Sequence, residues 1–189
     1  MEWMTSPYAS AALDNARPLR QGDIIREVHI FGALKASSIQ YTSSANGEEV
    51  SWAYAQKPTR GDAMIISHSC EIDPSNNDKL TSLILAPLRS VSSATKPETM
   101  QRLIESNYID ENSPVSFLKY FYLESNQLLQ QKDGAVVDFS KCFSLHKSAY
   151  QSLLDRRILS LIDEAADMMA RKLALYFFRS QQPSTAMAA

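Results

Sequence analysis

The sequence predicts a mainly β fold with added helix, an α+β protein built as a small barrel or curled sheet capped by a C-terminal helix. Two features predict it: strand-like segments fill the middle of the chain, and the longest apolar stripe at three- and four-residue spacing comes last, over 147–178. A third is an absence, since the strand–helix alternation of a parallel βαβ protein is not seen. The 189 residues suit one domain, and a composition of 44% hydrophobic and 21% charged residues is that of a globular chain. A chain this long buries roughly two-thirds of its unfolded surface without help from a metal or disulfide. The expected layout is an N-terminal arm over 1–20, a single domain over 21–180 and a flexible tail over 181–189.

The first strand is expected in 21–34, where Gly22-Asp23 precedes Ile24, Ile25, Val28, Ile30 and Phe31, with a bulge accommodating the irregular spacing. Asn46-Gly47 is the strongest short hairpin signal, because both residues tolerate positive φ, and a strand over 49–55 follows it. Lys57-Pro58-Thr59-Arg60-Gly61-Asp62 is a turn cluster before the apolar run Ala63-Met64-Ile65-Ile66-Ser67, which reads as a strand buried on both faces. After the polar loop 73–79, residues 80–88 form another buried strand, expected to stop at Pro87. Helix is predicted over 96–106, with Pro97-Glu98 in its first turn. Strands over 117–123 and 135–139 flank an Asp133-Gly134 turn. The segment 147–178 reads as one amphipathic helix, or two broken near Leu159-Ser160.

With 19 Lys+Arg against 21 Asp+Glu the net charge is −2, which argues against nucleic-acid binding by bulk charge but leaves a local basic site open. The two cysteines, Cys70 and Cys142, form neither a disulfide framework nor a CxxC knuckle, and a reducing compartment fits them. Residues 1–20 lack a basic start followed by a long apolar run, so no secretory signal is read there. No stretch reaches the ~18 uninterrupted apolar residues of a membrane span. A soluble, cytoplasmic protein without membrane contact is expected. With five glycines and neither GxGxxG nor GxxxxGK[ST], no phosphate-cradling loop or nucleotide cofactor is expected.

Ser67-His68-Ser69-Cys70-Glu71-Ile72-Asp73 is the most unusual local sequence, and it directly follows a buried strand. On extended backbone His68 and Cys70 project the same way, placing an imidazole beside a thiol that it can turn into a nucleophile. Residues two apart on a strand seldom reach hydrogen-bond geometry, so the competing reading makes Cys70 a small apolar filler and His68 a satisfied side chain. A metal reading would gather His68, Cys70, Glu71 and Asp73 with His29 or His146, but no second paired ligand set is present and no metal is expected. Cys142 reads as core. Arg60 either binds phosphate bidentately or is a solvated turn charge. Arg156-Arg157 and Arg171-Lys172 read as solvated helix faces, and Tyr120, Phe121 and Tyr122 either stack bases or, as alternating strand aromatics usually do, form core and rim.

Taken together, Gly22-Asp23-Ile24-Ile25, then Arg60 before Ala63-Met64-Ile65-Ile66-Ser67, then Ser82-Leu83-Ile84-Leu85-Ala86-Pro87-Leu88, resembles the MazF/PemK family of SH3-like barrels. The resemblance covers 21–88 and more loosely 133–178. It implies a toxin-like or defence-related protein that cleaves single-stranded RNA without a metal. Arg60 would be its general acid or phosphate binder, and Thr81 or Ser82 would stabilise charge on the phosphate. His68 joins them as a general base, since imidazole ordinarily titrates near neutrality. This chain departs from the family pattern at Gly61, where proline is common, at 68–73, and in an insertion over 91–129. Ser-His-x-Cys-Glu also resembles a strand end of uncharacterised bacterial barrel proteins. Two further readings compete with RNA cleavage: a non-catalytic adaptor or homodimer docking through its C-terminal helix, and a Cys70-dependent hydrolase.

Overall fold

The computed structural model describes residues 6–9, 17–30, 39–43, 50–54, 59–76, 80–92, 94–108, 117–129, 131 and 133–179, with backbone alone at 39–43, 50–54, 74 and 179. Strand β1 (Asp23–Ile30) pairs antiparallel with β4 (Thr59–Ile65), which pairs antiparallel with β5 (Ser82–Ser90). The sheet continues through β7 (Ala135–Asp138) to β6 (Tyr120–Leu123) beyond β5, and through β9 (Arg157–Ser160) beyond β1. β8 (Phe143–His146) also pairs with β5, so seven strands make a curled, half-barrel antiparallel sheet. β2 (Ile39–Ser43) and β3 (Val50–Tyr54) form a separate antiparallel pair, whose Asn46-Gly47 connection lies outside the described residues. Four helices are described: the single turn α1 (Ser69–Ile72), α2 (Pro97–Glu105), α3 (Tyr150–Asp155) and α4 (Asp163–Arg179). None is long and apolar enough to cross a membrane.

Alternation along the central strands buries both faces of the sheet. Ile24, Met64, Ala86, Phe121 and Val137 pack with Leu161, just before α4, and with Ala165 and Met169 in its first two turns. Ile25, Ala63, Ile65, Leu83 and Leu85 pack on the other face with Ile72 of α1 and Leu153 of α3. The expected bulge in β1 is present, with the register against β4 shifting between Ile25 and Val28 and Glu27 at φ 52°. Gly134 takes φ +86° in the turn before β7, where an added Cβ would stand 2.6 Å from the Leu123 carbonyl oxygen. Of the arm, Tyr8 and Leu19 are buried, and the Tyr8 hydroxyl donates to the Glu124 carbonyl at 2.6 Å. Burial, with Glu124 and Tyr122 nearby, raises the pKa of that phenol.

Three expectations need correction. β5 runs past Pro87 to Ser90, since Pro87 sits opposite Ala63 inside the ladder. The C-terminal segment is interrupted by β9, because Ile24 and Asp23 of β1 pair with Leu159 and Ser160 at a sheet edge that a helix could not complete. Its basic residues are not all solvated either. Arg157 is buried and donates to Asp23 at 3.2 Å, and the Lys172 amine is fully buried against Ser106 Oγ (2.7 Å) and Asn107 Oδ1 (3.3 Å).

Candidate functional site

The 67–73 segment leaves the end of β4 and turns back over the start of β5. Two backbone bonds hold it there, from Ile66 N–H and Ser67 N–H to the Ile84 carbonyl at 3.0 and 3.3 Å, and Ser67 Oγ accepts from Ile84 N–H at 2.7 Å. Gln21 supports it from the side, its amide donating to the Ile66 carbonyl at 2.8 Å and its backbone N–H to Ser69 Oγ at 3.1 Å. Buried Ile72 anchors the turn from below. A polar segment with one apolar anchor thus becomes a fixed loop.

His68 stands just before α1 in extended backbone, φ −65° and ψ 140°, where its Nδ1 accepts the Cys70 N–H at 3.3 Å. The same Nδ1 lies 2.9 Å from Cys70 Sγ. A ring nitrogen that accepts a backbone N–H presents its lone pair on that side, so the thiol is the donor in the second contact. Helical φ/ψ from Ser69 onward brings the two side chains together, which two residues of extended strand would not do. Asn76 fastens the far end of the turn, its amide donating to the Cys70 carbonyl at 2.7 Å. Asp73 accepts from the Ser75 hydroxyl at 2.6 Å and from the Ser75 N–H at 2.8 Å. Those two bonds hold its carboxyl below the ordinary carboxylate pKa.

Cys70 opens onto a groove of about 460 Å³ formed with Glu71, Asn76, Thr81, Ser82 and Ile84, a volume in the range of ligand sites. Ser82 and Ile84 continue the face of Ala86 beyond the packed core and leave Ile84 exposed. Across the ladder His146 pairs with Ser82, and the Lys147 N–H donates to the Thr81 carbonyl at 3.1 Å. His146 repeats the arrangement of His68: its Nδ1 accepts Ser148 N–H at 3.2 Å and lies 3.0 Å from Ser148 Oγ. The second cysteine differs in kind. Cys142 is half-buried, its thiol donates to the Phe139 carbonyl at 3.1 Å, and burial together with Asp138 pushes its pKa up to about 11.

The structure therefore brings together Cys70, Thr81 and Ser82, with His68 at the rim through its contact with the thiol. It does not bring Arg60 to them. Ile65 pairs antiparallel with Leu85, and Arg60 and Ser82 lie on opposite sides of that pair, so eight residues of ladder, roughly 26 Å, separate them. Arg60 instead faces His29 of β1, its Nε donating to His29 Nε2 at 3.2 Å. The same separation removes His29 from the metal alternative, and among the described residues no three His, Cys, Asp or Glu side chains converge on a common point. Asn76 and Ser67 were not predicted. Asn76 sits in a Ser-Asn-Asn run whose composition signals a turn and nothing more. No family model matches the chain, and no curated protein matches it in a sequence search.

Proposed function

We propose that the groove beside Cys70 is an active site for thiol-dependent acyl hydrolysis or transfer. The observation that carries this reading is the 2.9 Å contact between His68 Nδ1 and Cys70 Sγ at an open groove. Cys70 Sγ attacks the carbonyl carbon of a bound acyl compound while its proton passes to His68 Nδ1. The bond to the leaving group breaks, and that group departs with the proton from His68. Water, or an acceptor nucleophile, then attacks the thioester, giving the acid or the transferred acyl group and returning the thiol. Thr81 and Ser82 hydroxyls on the facing wall are the donors available to the developing oxyanion.

The test is alkylation of Cys70 by iodoacetamide at pH 7, read by mass spectrometry so that Cys70 and Cys142 are counted separately, alongside hydrolysis of p-nitrophenyl acetate. His68→Ala is expected to slow alkylation about tenfold, and Cys70→Ser to abolish the p-nitrophenolate burst. Equal alkylation rates with and without His68, and no burst, would sink the reading.

A second reading, metal-independent RNA cleavage in an SH3-like barrel of the MazF/PemK type, is favoured by the direct neighbouring of β1, β4 and β5, which carry the resembling motifs. In this form His68, Thr81 and Ser82 act at the groove and Arg60 takes no part. Chelator-treated protein incubated with single-stranded RNA and run on a denaturing gel tests it: cleavage abolished by His68→Ala and retained in Arg60→Ala is the expected result. The adaptor reading has less support, because Leu173 and Tyr176 of α4 pack against the core.

A further inference from the structure

Glu71 is the one charged side chain among the described residues that line the groove, and it follows Cys70 directly in sequence. It is exposed, as is Asp73 two residues later. No lysine or arginine lines the groove among the described residues. The remaining polar lining consists of Ser67, Thr81 and Ser82 hydroxyls and the Asn76 amide, whose nitrogen is already committed to the Cys70 carbonyl. A ligand seated here meets one carboxylate, which carries negative charge and accepts hydrogen bonds, among hydroxyls that donate or accept. Beside Glu71 an anionic group meets repulsion, whereas an ammonium or guanidinium gains Coulomb attraction of a size that matters at contact distance.

We propose that Glu71 sets the specificity of the groove, and that its substrates are acyl compounds carrying an ammonium or guanidinium group close to the reacting carbonyl. This rests on the thiol-chemistry reading of the same groove for the word acyl, but the charge selectivity itself can be read without a known substrate. Two methanethiosulfonates of similar size serve as probes, one bearing a trimethylammonium group and the other a sulfonate. In each the Cys70 sulfur attacks the sulfenyl sulfur, the S–S bond of the reagent breaks, methanesulfinate leaves, and the thiol proton passes to solvent through His68. Rates at Cys70 are measured by mass spectrometry in low salt and divided by those for 2-mercaptoethanol.

The cationic reagent is expected to react about fivefold faster than the anionic one after that correction. Glu71→Gln should bring the ratio close to one, Glu71→Lys should invert it, and raising the salt should shrink it in the wild type. A corrected ratio of one or below in the wild type, or a ratio that neither substitution moves, overturns the proposal. Glu71 is exposed, and far-ultraviolet circular dichroism of both variants checks that α1 and the sheet are retained. The two readings fail separately. If His68→Ala leaves the alkylation rate untouched while the charge ratio still follows Glu71, thiol activation is wrong and the cation-selective groove stands.

Discussion

Lys172 supplies the sharpest thermodynamic prediction. Its amine is fully buried, its two acceptors are the neutral Ser106 Oγ and Asn107 Oδ1, and burial pulls its pKa down from 10.5 to about 7. In the unfolded chain the same amine is protonated at every pH below 10.5, so between pH 7 and 10.5 the unfolded state binds a proton that the folded state refuses. Stability therefore rises with pH across that window by up to about 1.4 kcal/mol per pH unit and levels off below pH 7, where both states are charged. Across the window the difference amounts to about 5 kcal/mol. Lys172→Met keeps the length of the side chain and removes the proton linkage. Its cost is two hydrogen bonds, about 1 kcal/mol each, because Ser106 Oγ still donates to the Leu103 carbonyl and Asn107 Oδ1 still accepts from Tyr122 N–H. The variant should be more stable than wild type by about 3 kcal/mol at pH 7 and less stable by about 2 kcal/mol above pH 10.5. Urea unfolding followed by circular dichroism at pH 7, 8, 9 and 10 measures the difference, and other titrating groups cancel in the comparison. A difference that stays constant across these pH values refutes the reasoning.

Asp23→Ala should cost about 3–5 kcal/mol in urea unfolding, since it strips a buried carboxylate that accepts from Arg17 (2.9 Å), Arg157 (3.2 Å) and Ser160 (2.5 Å) and leaves Arg157 buried without it. Gly134→Ala should cost at least about 2 kcal/mol in the same measurement, because positive φ and the Leu123 carbonyl oxygen both oppose a Cβ there. Arg60→Ala should leave Cys70 alkylation within about twofold of wild type, as the pair with His29 lies at the other end of the β4–β5 ladder. Ser148→Cys in a Cys70→Ser background places a thiol beside His146, the ladder partner of Ser82, on a residue that does not itself line the groove; an iodoacetamide-reactive thiol without p-nitrophenolate turnover is expected, and turnover equal to wild type would show that the reacting thiol need not line the groove.

The strands that frame the site were legible where a run of apolar residues met a turn residue. Ala63-Met64-Ile65-Ile66 and Leu83-Ile84-Leu85-Ala86 announce buried strands through composition, and Asp133-Gly134 announces its turn through the φ that glycine alone takes easily. β9 was hidden because Leu153, Leu154, Ile158, Leu161 and Ile162 also satisfy a helical period, while the partners that make Arg157–Ser160 a strand lie on Asp23–Ile25, far away in sequence. Burial of Lys172 was hidden for the same reason, since its acceptors come from the end of α2. The sequence put His68 with Thr81 and Ser82 and kept Cys70 for a separate reading; that Cys70 shares a groove with Thr81 and Ser82 comes from the end of one strand meeting the start of the next. Arg60 was misplaced with them although the direction of pairing decides the matter: consecutive antiparallel strands put their beginnings at opposite ends of the ladder.

The twin histidines separate what local backbone does from what the fold does. His68 and His146 sit in nearly the same conformation, φ −65° and ψ 140° against φ −62° and ψ 149°, and each caps the N–H two residues on while touching that residue's sulfur or oxygen. Contact between an imidazole and the side chain at i+2 is therefore a property of this cap and needs no tertiary help. The tertiary structure contributes the choice of place. At His68 the touched atom is a thiol, Asn76 fixes its backbone, and Thr81, Ser82 and Glu71 stand around an open groove; at His146 the touched atom is a hydroxyl. Cys142 completes the comparison from the other side, as a thiol with no histidine against it among the described contacts, bonded to a carbonyl and kept protonated by burial. Of the two thiols, only Cys70 combines a proton acceptor, exposure and a groove, and that conjunction is the physical basis for assigning the chemistry to it.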